Sequence, residues 1–243
     1  MALALVKSST IGSGGPVASQ ATSFGTLPSA GNMIVVMISA WRAVPGANIA
    51  SVSDNQGNIY TKAIDRNGAG ADTLCEASIW YCANIGSPSG THTVTANPTA
   101  GSDNYINVIA SEISGQNTSS PLDATTSAAI SSTGDVATGT TATLAQADEI
   151  VFIVASVSAS NSNIAIDTPA TYTRIGVNQD STATIGFEAS YKIVAATTAV
   201  TAQWSHDNTG QDEAAGVIAT FKAAAVPRSP PFGMDAFQHM MVR

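Results

Sequence analysis

The residues able to do chemistry are few and scattered. His92, His206 and His239 lie far apart, and none has a second histidine or an acid at metal-ligand spacing. His92 sits in an alternating segment, where a surface position is expected. Glycoside hydrolysis needs two carboxylates flanking a sugar. Glu76 and Glu188 are the natural pair to consider, but they occupy equivalent places in two repeated segments, which duplication explains better than pairing. Asp207, Asp212 and Glu213, or Asp54 with Asn58, could offer oxygen ligands to calcium. The same Asp-Asn-Gly stretches are turn formers, so the expectation is no metal and no cofactor. The nucleophile motif Gly-x-Ser-x-Gly is absent. Gly12-Ser13-Gly14-Gly15 reads as a flexible loop, because no Lys-Ser/Thr follows to make it a phosphate loop. No catalytic residue is assigned, and the expectation is a non-enzyme.

Cys75 and Cys82 are the only cysteines. On one extended strand they would stand roughly 23 Å apart and on opposite faces, beyond disulfide reach. They read as free thiols. Asn117-Thr118-Ser119 matches a glycosylation sequon, idle without a secretory route.

What must position these residues is a chain that repeats itself. Tyr60-Thr61-Lys62 returns as Tyr172-Thr173-Arg174, and Glu76-Ala77-Ser78 returns as Glu188-Ala189-Ser190, both at a spacing of 112 residues. The apolar run from Met33 to Ala40 corresponds to Ile150 to Val157, Thr93-Val94-Thr95-Ala96 to Ala199-Val200-Thr201-Ala202, and Val108-Ile109-Ala110-Ser111 to Val217-Ile218-Ala219-Thr220. Segments rich in β-branched and aromatic residues alternate with turn signals such as Asp54-Asn55-Gln56-Gly57 and Asp207-Asn208-Thr209-Gly210. Strands are expected near 2–8, 18–26, 32–41, 49–54, 58–64, 73–83, 91–97 and 104–114. The second repeat offers 121–132, 136–145, 149–158, 162–166, 171–176, 184–195, 198–205 and 214–223. The fold class is therefore all-β: two tandem, internally duplicated β-sandwich units of jelly-roll or Ig-like type, over 1–115 and 116–225, with an extended tail over 226–243.

Alternation predicts sidedness. Phe187, Ala189, Tyr191 and Ile193 should face inward and Glu188, Ser190 and Lys192 outward. Repeat one then turns Cys75, Ala77, Ile79 and Tyr81 inward and leaves Trp80 outward among polar residues, a candidate contact. The runs Met33 to Ile38 and Ile150 to Val154 are apolar throughout, which predicts burial on both faces. Extra cover must then come from the other repeat or another subunit.

Composition narrows the function. Charged residues make up only 11% of the 243 residues and the net charge is −8, so no basic face exists for nucleic acid. The apolar start Met1 to Val6 is too short for a signal peptide, and no run approaches the ~20 residues of a membrane span. The expectation is a chain made in a cytoplasm, without membrane insertion.

Ala30-Gly31-Asn32-Met33-Ile34-Val35-Val36, then Val52-Ser53-Asp54-Asn55-Gln56-Gly57-Asn58-Ile59-Tyr60, then Glu112-Ile113-Ser114-Gly115 followed by Ser120-Pro121-Leu122-Asp123-Ala124 stand in a familiar order. Residues 1–224 resemble duplicated β-sandwich proteins of bacteriophage virions and bacterial surfaces, whose halves are joined by a similar link. The resemblance implies virion architecture or surface display and carries over no catalytic residue. The implied partners are other virion proteins, major capsid or tail proteins, and copies of the chain itself. The tail carries Pro227, Pro230 and Pro231, then Phe232 and a helical trio Phe237, Met240 and Met241. These four apolar residues, with Trp80, are the expected interface. The rival expectation is a carbohydrate-binding or adhesin module in which Trp41, Trp80 or Trp204 holds a host-surface glycan.

Overall fold

The computed structural model describes residues 2–42, 49–69, 74–99, 101, 104–130, 135–159, 166–179, 185–205 and 211–225, and these form an all-β, sandwich-type architecture with no helix. Half one holds β1 (Ala4–Ser8), β2 (Gly12–Val17), β3 (Gln20–Ser23), β4 (Met33–Arg42), β5 (Ile49–Asp54), β6 (Thr61–Asn67), β7 (Cys75–Cys82), β8 (Thr93–Pro98) and β9 (Asn104–Ser114). Half two holds β10 (Leu122–Ile130), β11 (Val136–Thr140), β12 (Glu149–Ala159), β13 (Thr173–Asn178), β14 (Ile185–Val194), β15 (Thr201–Trp204) and β16 (Gln211–Lys222). The large sheet of half one runs β1-β9-β4-β7-β6, with β2 also on β9, and that of half two runs β10-β16-β12-β14-β13. Each carries a small outer sheet, β3-β8-β5 and β11-β15 respectively. All these ladders are antiparallel.

The two sandwiches are not independent beads. Their large sheets lie face to face, β4 against β12 and β14, β7 against β12 and β16, β6 against β10 and β16. The result is four layers with three apolar cores. Odd-numbered Met33, Val35 and Met37 enter the central core, while Ile34, Val36 and Ile38 enter the outer core of half one. Ile150, Phe152 and Val154 likewise face the centre, and Val151, Ile153 and Ala155 face the outer core of half two. The unbroken apolar runs thus have the two-sided burial their sequence predicts, and the cover comes from the other half of the same chain. Each large aliphatic or aromatic side chain so buried contributes roughly 1.5–3 kcal/mol.

Four expectations need correction. Gly12 to Gly15 is no loop: it lies within β2, paired with β9. Glycine is required there, since a Cβ on Gly12 would sit 2.0 Å from the Ala21 carbonyl oxygen. The Val108 to Val217 correspondence is one residue out of register, because Val108 faces an outer core and Val217 the central one. The two anchors at 112-residue spacing do not hold together. Tyr60 and Tyr172 both precede their strand, and a bulge follows at Ala63 and at Ile175. Yet Lys62 pairs with Trp80 while Arg174 pairs with Ser190, not Lys192. Strand β14 is therefore shifted by two residues relative to the repeat, and Ala77 stands at the level of Phe187. An even slip preserves sidedness, so Phe187 and Ala189 do face the central core, with Tyr191 packed against it. Ile193, at the strand end, is 46% exposed instead of buried.

The fourth correction concerns the faces assigned outward. Glu76, Ser78, Glu188 and Ser190 are all buried, because the outer sheets cover them. Trp80 is 6% exposed within the outer core of half one, with Lys62 Nζ 5.1 Å from its ring centroid. It is a packing residue, not a surface contact. Expected strand positions 162–165 and the tail residues Phe232, Phe237, Met240 and Met241 lie outside the described residues.

Candidate functional site

The chain has five glutamates, and every one of them is buried. Burying a carboxylate is costly unless donors surround it, so what each one touches shows what it does. Glu76, on β7, reaches across to the outer sheet and accepts from the Ile49 amide at 2.8 Å, while its other oxygen has no partner. Burial pushes its carboxyl up to about 8, outweighing the Ile49 N–H, the nearby Ser78 hydroxyl and the Lys62 charge. Glu188, on β14, is better supplied: Trp204 Nε1 donates at 2.5 Å, Ser190 and Thr168 hydroxyls donate to the other oxygen, and Arg174 Nε lies 3.7 Å away. Burial raises its pKa as well, against those hydrogen bonds and the guanidinium. Glu149 is raised to about 7 by burial and by the neighbouring Asp123 carboxyl, which itself stands 3.7 Å from Lys222 Nζ.

Glu213, a calcium candidate by sequence, lies on strand β16. It points into the joint between the halves, where the Cys75 amide donates to its Oε1. Asp207 lies outside the described residues, as does the Asp212 side chain. Among the described residues no group of three or more His, Cys, Asp or Glu is placed to hold a metal ion. Cys75 and Cys82 are free and buried, Cys75 towards Glu213 and Ser156, Cys82 in the outer core.

The fifth glutamate joins three strands. Glu112, on β9, lies between β1 and β4. Its Oε1 accepts from Asn32 Nδ2 at 2.6 Å and from the Ser29 amide at 2.7 Å, and Lys7 Nζ stands 3.3 Å from Oε2. In the sequence Asn32 and Glu112 stand out only as parts of a structural likeness, and nothing there connects Lys7 to either. Residues 80 and 105 positions from their partner carry no local signal.

The tightest polar knot surrounds Asp54, at the end of β5. Its Oδ1 accepts from the Gln56 and Asn58 amides, both at 3.0 Å, and its Oδ2 from Asn58 Nδ2 at 2.7 Å and Tyr60 OH at 3.0 Å. His92 Nε2 lies 2.8 Å from the same oxygen. Burial would raise this carboxyl, but the hydrogen bonds from Asn58, His92 and Gln56 prevail and hold it below its ordinary value. The expected surface histidine is thus fully buried. An Asp-His pair supplies two of the three members of a hydrolytic triad, yet His92 Nδ1 meets no hydroxyl or thiol among the described residues. The knot instead fixes a loop. Gln56 ties it to Ser89 through two hydrogen bonds of 3.0 Å, and Ile59 is held out at its tip, 84% exposed.

Of the tryptophans considered for sugar, Trp80 and Trp204 are buried, and Trp41 is half-buried edge-on to Tyr105 at 5.5 Å between centroids. A groove of about 420 Å³ opens beside Leu3, Gln146, Asp148, Ile193 and Ala225. No helix of the described residues is long and apolar enough to cross a membrane. No family model, curated protein or solved structure matches the chain.

Proposed function

We propose that the chain is a non-enzymatic structural protein of a bacteriophage particle, a capsid decoration or cement protein or a tail component, acting through subunit packing. The observation that carries this reading is the use made of its acids: all five glutamates are buried against neighbouring strands or sheets, and the Asp54–His92 pair is locked into a loop. Glu76 and Glu188 each tie a large sheet to its outer sheet, and Glu213 ties one half to the other. The common strand order of the halves supports an internally duplicated scaffold. Ile59 is displayed on a pinned loop, 84% exposed.

Partners in this reading are capsid or tail proteins and further copies of the chain, with residues 226–243 as an assembly segment. The test is whether the protein co-purifies with intact particles at a fixed copy number. Deleting 226–243 should lower incorporation and leave the melting midpoint nearly unchanged. Normal incorporation with early melting would make the segment an internal strap and remove the assembly role. The sugar-binding alternative is weakened by the burial of Trp80 and Trp204.

A further inference from the structure

We propose that Lys7 and Asn32 become joined by an intramolecular amide bond, with Glu112 as the catalytic residue that makes it. The three side chains converge from three adjacent strands or their ends. In the β1-β9-β4 order, Glu112 sits on the middle strand, Lys7 is its ladder partner on β1, and Asn32 immediately precedes β4. One carboxylate thus touches the amide that would be attacked, at 2.6 Å, and stands 3.3 Å from the attacking amine.

Both reacting groups are held. Thr26 Oγ1 and the Leu27 carbonyl accept from Lys7 Nζ at 3.1 and 2.8 Å. The backbone of Asn32 is fixed by its own amide to Ser29 O at 3.2 Å and by Ile85 N to its carbonyl at 2.9 Å. The Ser29 amide anchors the carboxylate itself. Glu112 is fully buried, whereas Lys7 retains partial exposure. Holding nucleophile, base and electrophile together converts a hopeless bimolecular aminolysis into an intramolecular one, where effective molarities are large.

The step balances without any co-reactant. Glu112 takes a proton from the Lys7 ammonium, and the freed amine attacks Asn32 Cγ, forming the new C–N bond and a tetrahedral oxyanion. Glu112 gives its proton to Nδ2 and receives one from Nζ as the oxyanion collapses. The Cγ–Nδ2 bond breaks and ammonia leaves, taking the remaining proton as ammonium. No redox change occurs. The product ties edge strand β1 to β4 across β9, the direction in which a sheet otherwise holds only by hydrogen bonds.

Half two provides the internal contrast. Its ladders place Ala124, Glu149 and Thr220 where half one has Lys7, Asn32 and Glu112. No amine and no carboxamide stands at those three places, so a single bond of this kind per chain is expected.

The test is the intact mass of the purified full chain, which should be lower than the sequence mass by one ammonia. Proteolysis should then yield one branched peptide containing Lys7 and Asn32. The K7R and E112Q variants should both retain the full sequence mass, and K7R, at a partly exposed site, keeps the fold even if E112Q does not. Wild-type protein at full sequence mass after prolonged incubation overturns the proposal. So does ammonia loss that persists in K7R, since that would be cyclisation of an asparagine on its own backbone.

Discussion

Half one covers its large sheet with three outer strands and seals the space with Phe24, Tyr60 and Trp80, whereas the described part of half two places only β11 and β15 there, around Trp204. The two tryptophans fill comparable spaces by different means. Trp204 Nε1 donates to Glu188, while Trp80 Nε1 has no partner and its ring lies beneath Lys62. The glutamates differ accordingly: Glu188 is ringed by donors, and Glu76 has one. Beneath its outer sheet half two surrounds Glu188 with donors, whereas half one leaves Glu76 with a carboxyl that burial raises to about 8. A shared strand order thus fixes the layers but leaves each half free to solve its own polar accounting.

That comparison is broken most forcefully at the centre, which belongs to both halves. Phe187→Ala should cost ~3–5 kcal/mol. Because Phe187 packs in the core common to both large sheets, calorimetry should show one transition, shifted as a whole. Two separated transitions would mean that the halves fold independently.

The pH dependence should differ by residue. The Glu76 carboxyl is raised to about 8 in the folded state from an ordinary value near 4.5, so the native protein binds the extra proton between these values. Its contribution is fully present below the lower value and lost as pH rises through about 8. The melting midpoint should therefore fall between about pH 5 and 8, and Glu76→Gln should flatten that fall. Asp54 is shifted the other way, so its contribution is present above its ordinary value and lost as pH falls through the lowered one. An Asp54→Asn variant should show less acid sensitivity than wild type. A wild-type midpoint that climbs from about pH 5 to 8 would contradict the assignment of Glu76.

The tryptophans give a sharper, smaller test. Trp204→Phe and Trp80→Phe remove similar volumes, but only the first strips a donor from a buried carboxylate. The excess cost of Trp204→Phe should be about 1–3 kcal/mol in denaturant titrations. Equal costs would mean that the Trp204 hydrogen bond carries no net weight. Smallest of all, Lys192→Ala should cost ~0.5–1 kcal/mol, through loss of the ammonium stacked 4.1 Å above the Tyr172 ring.

Much of the fold was legible because strand physics is local. The unbroken apolar run of Met33 to Ile38 announced two-sided burial, and the alternation at 185–194 placed Phe187 and Ala189 on the right face. Register was not legible: the repeated Glu-Ala-Ser triplet invited a 112-residue alignment that the ladders displace by two. Glycine content misled at β2, where the absence of side chains permits close strand approach and does not mark a loop. The buried polar sites were the least visible. Asp54 and His92 are 38 positions apart, and Lys7 and Glu112 meet only because β1 and β9 are neighbours.

By itself, then, the sequence determined the class of structure: all-β, low in charge, with strand positions and inward faces set by residue volume and period-two patterning, both of which act within a few residues. The tertiary structure decided what covers each face. Two outer sheets turned apparently exposed glutamates into buried fasteners, and the stacking of the two large sheets made one central core from two halves. Those outcomes depend on pairings between residues far apart in the chain, whose free energy is set by the contacts and solvent exclusion that only the assembled layers create.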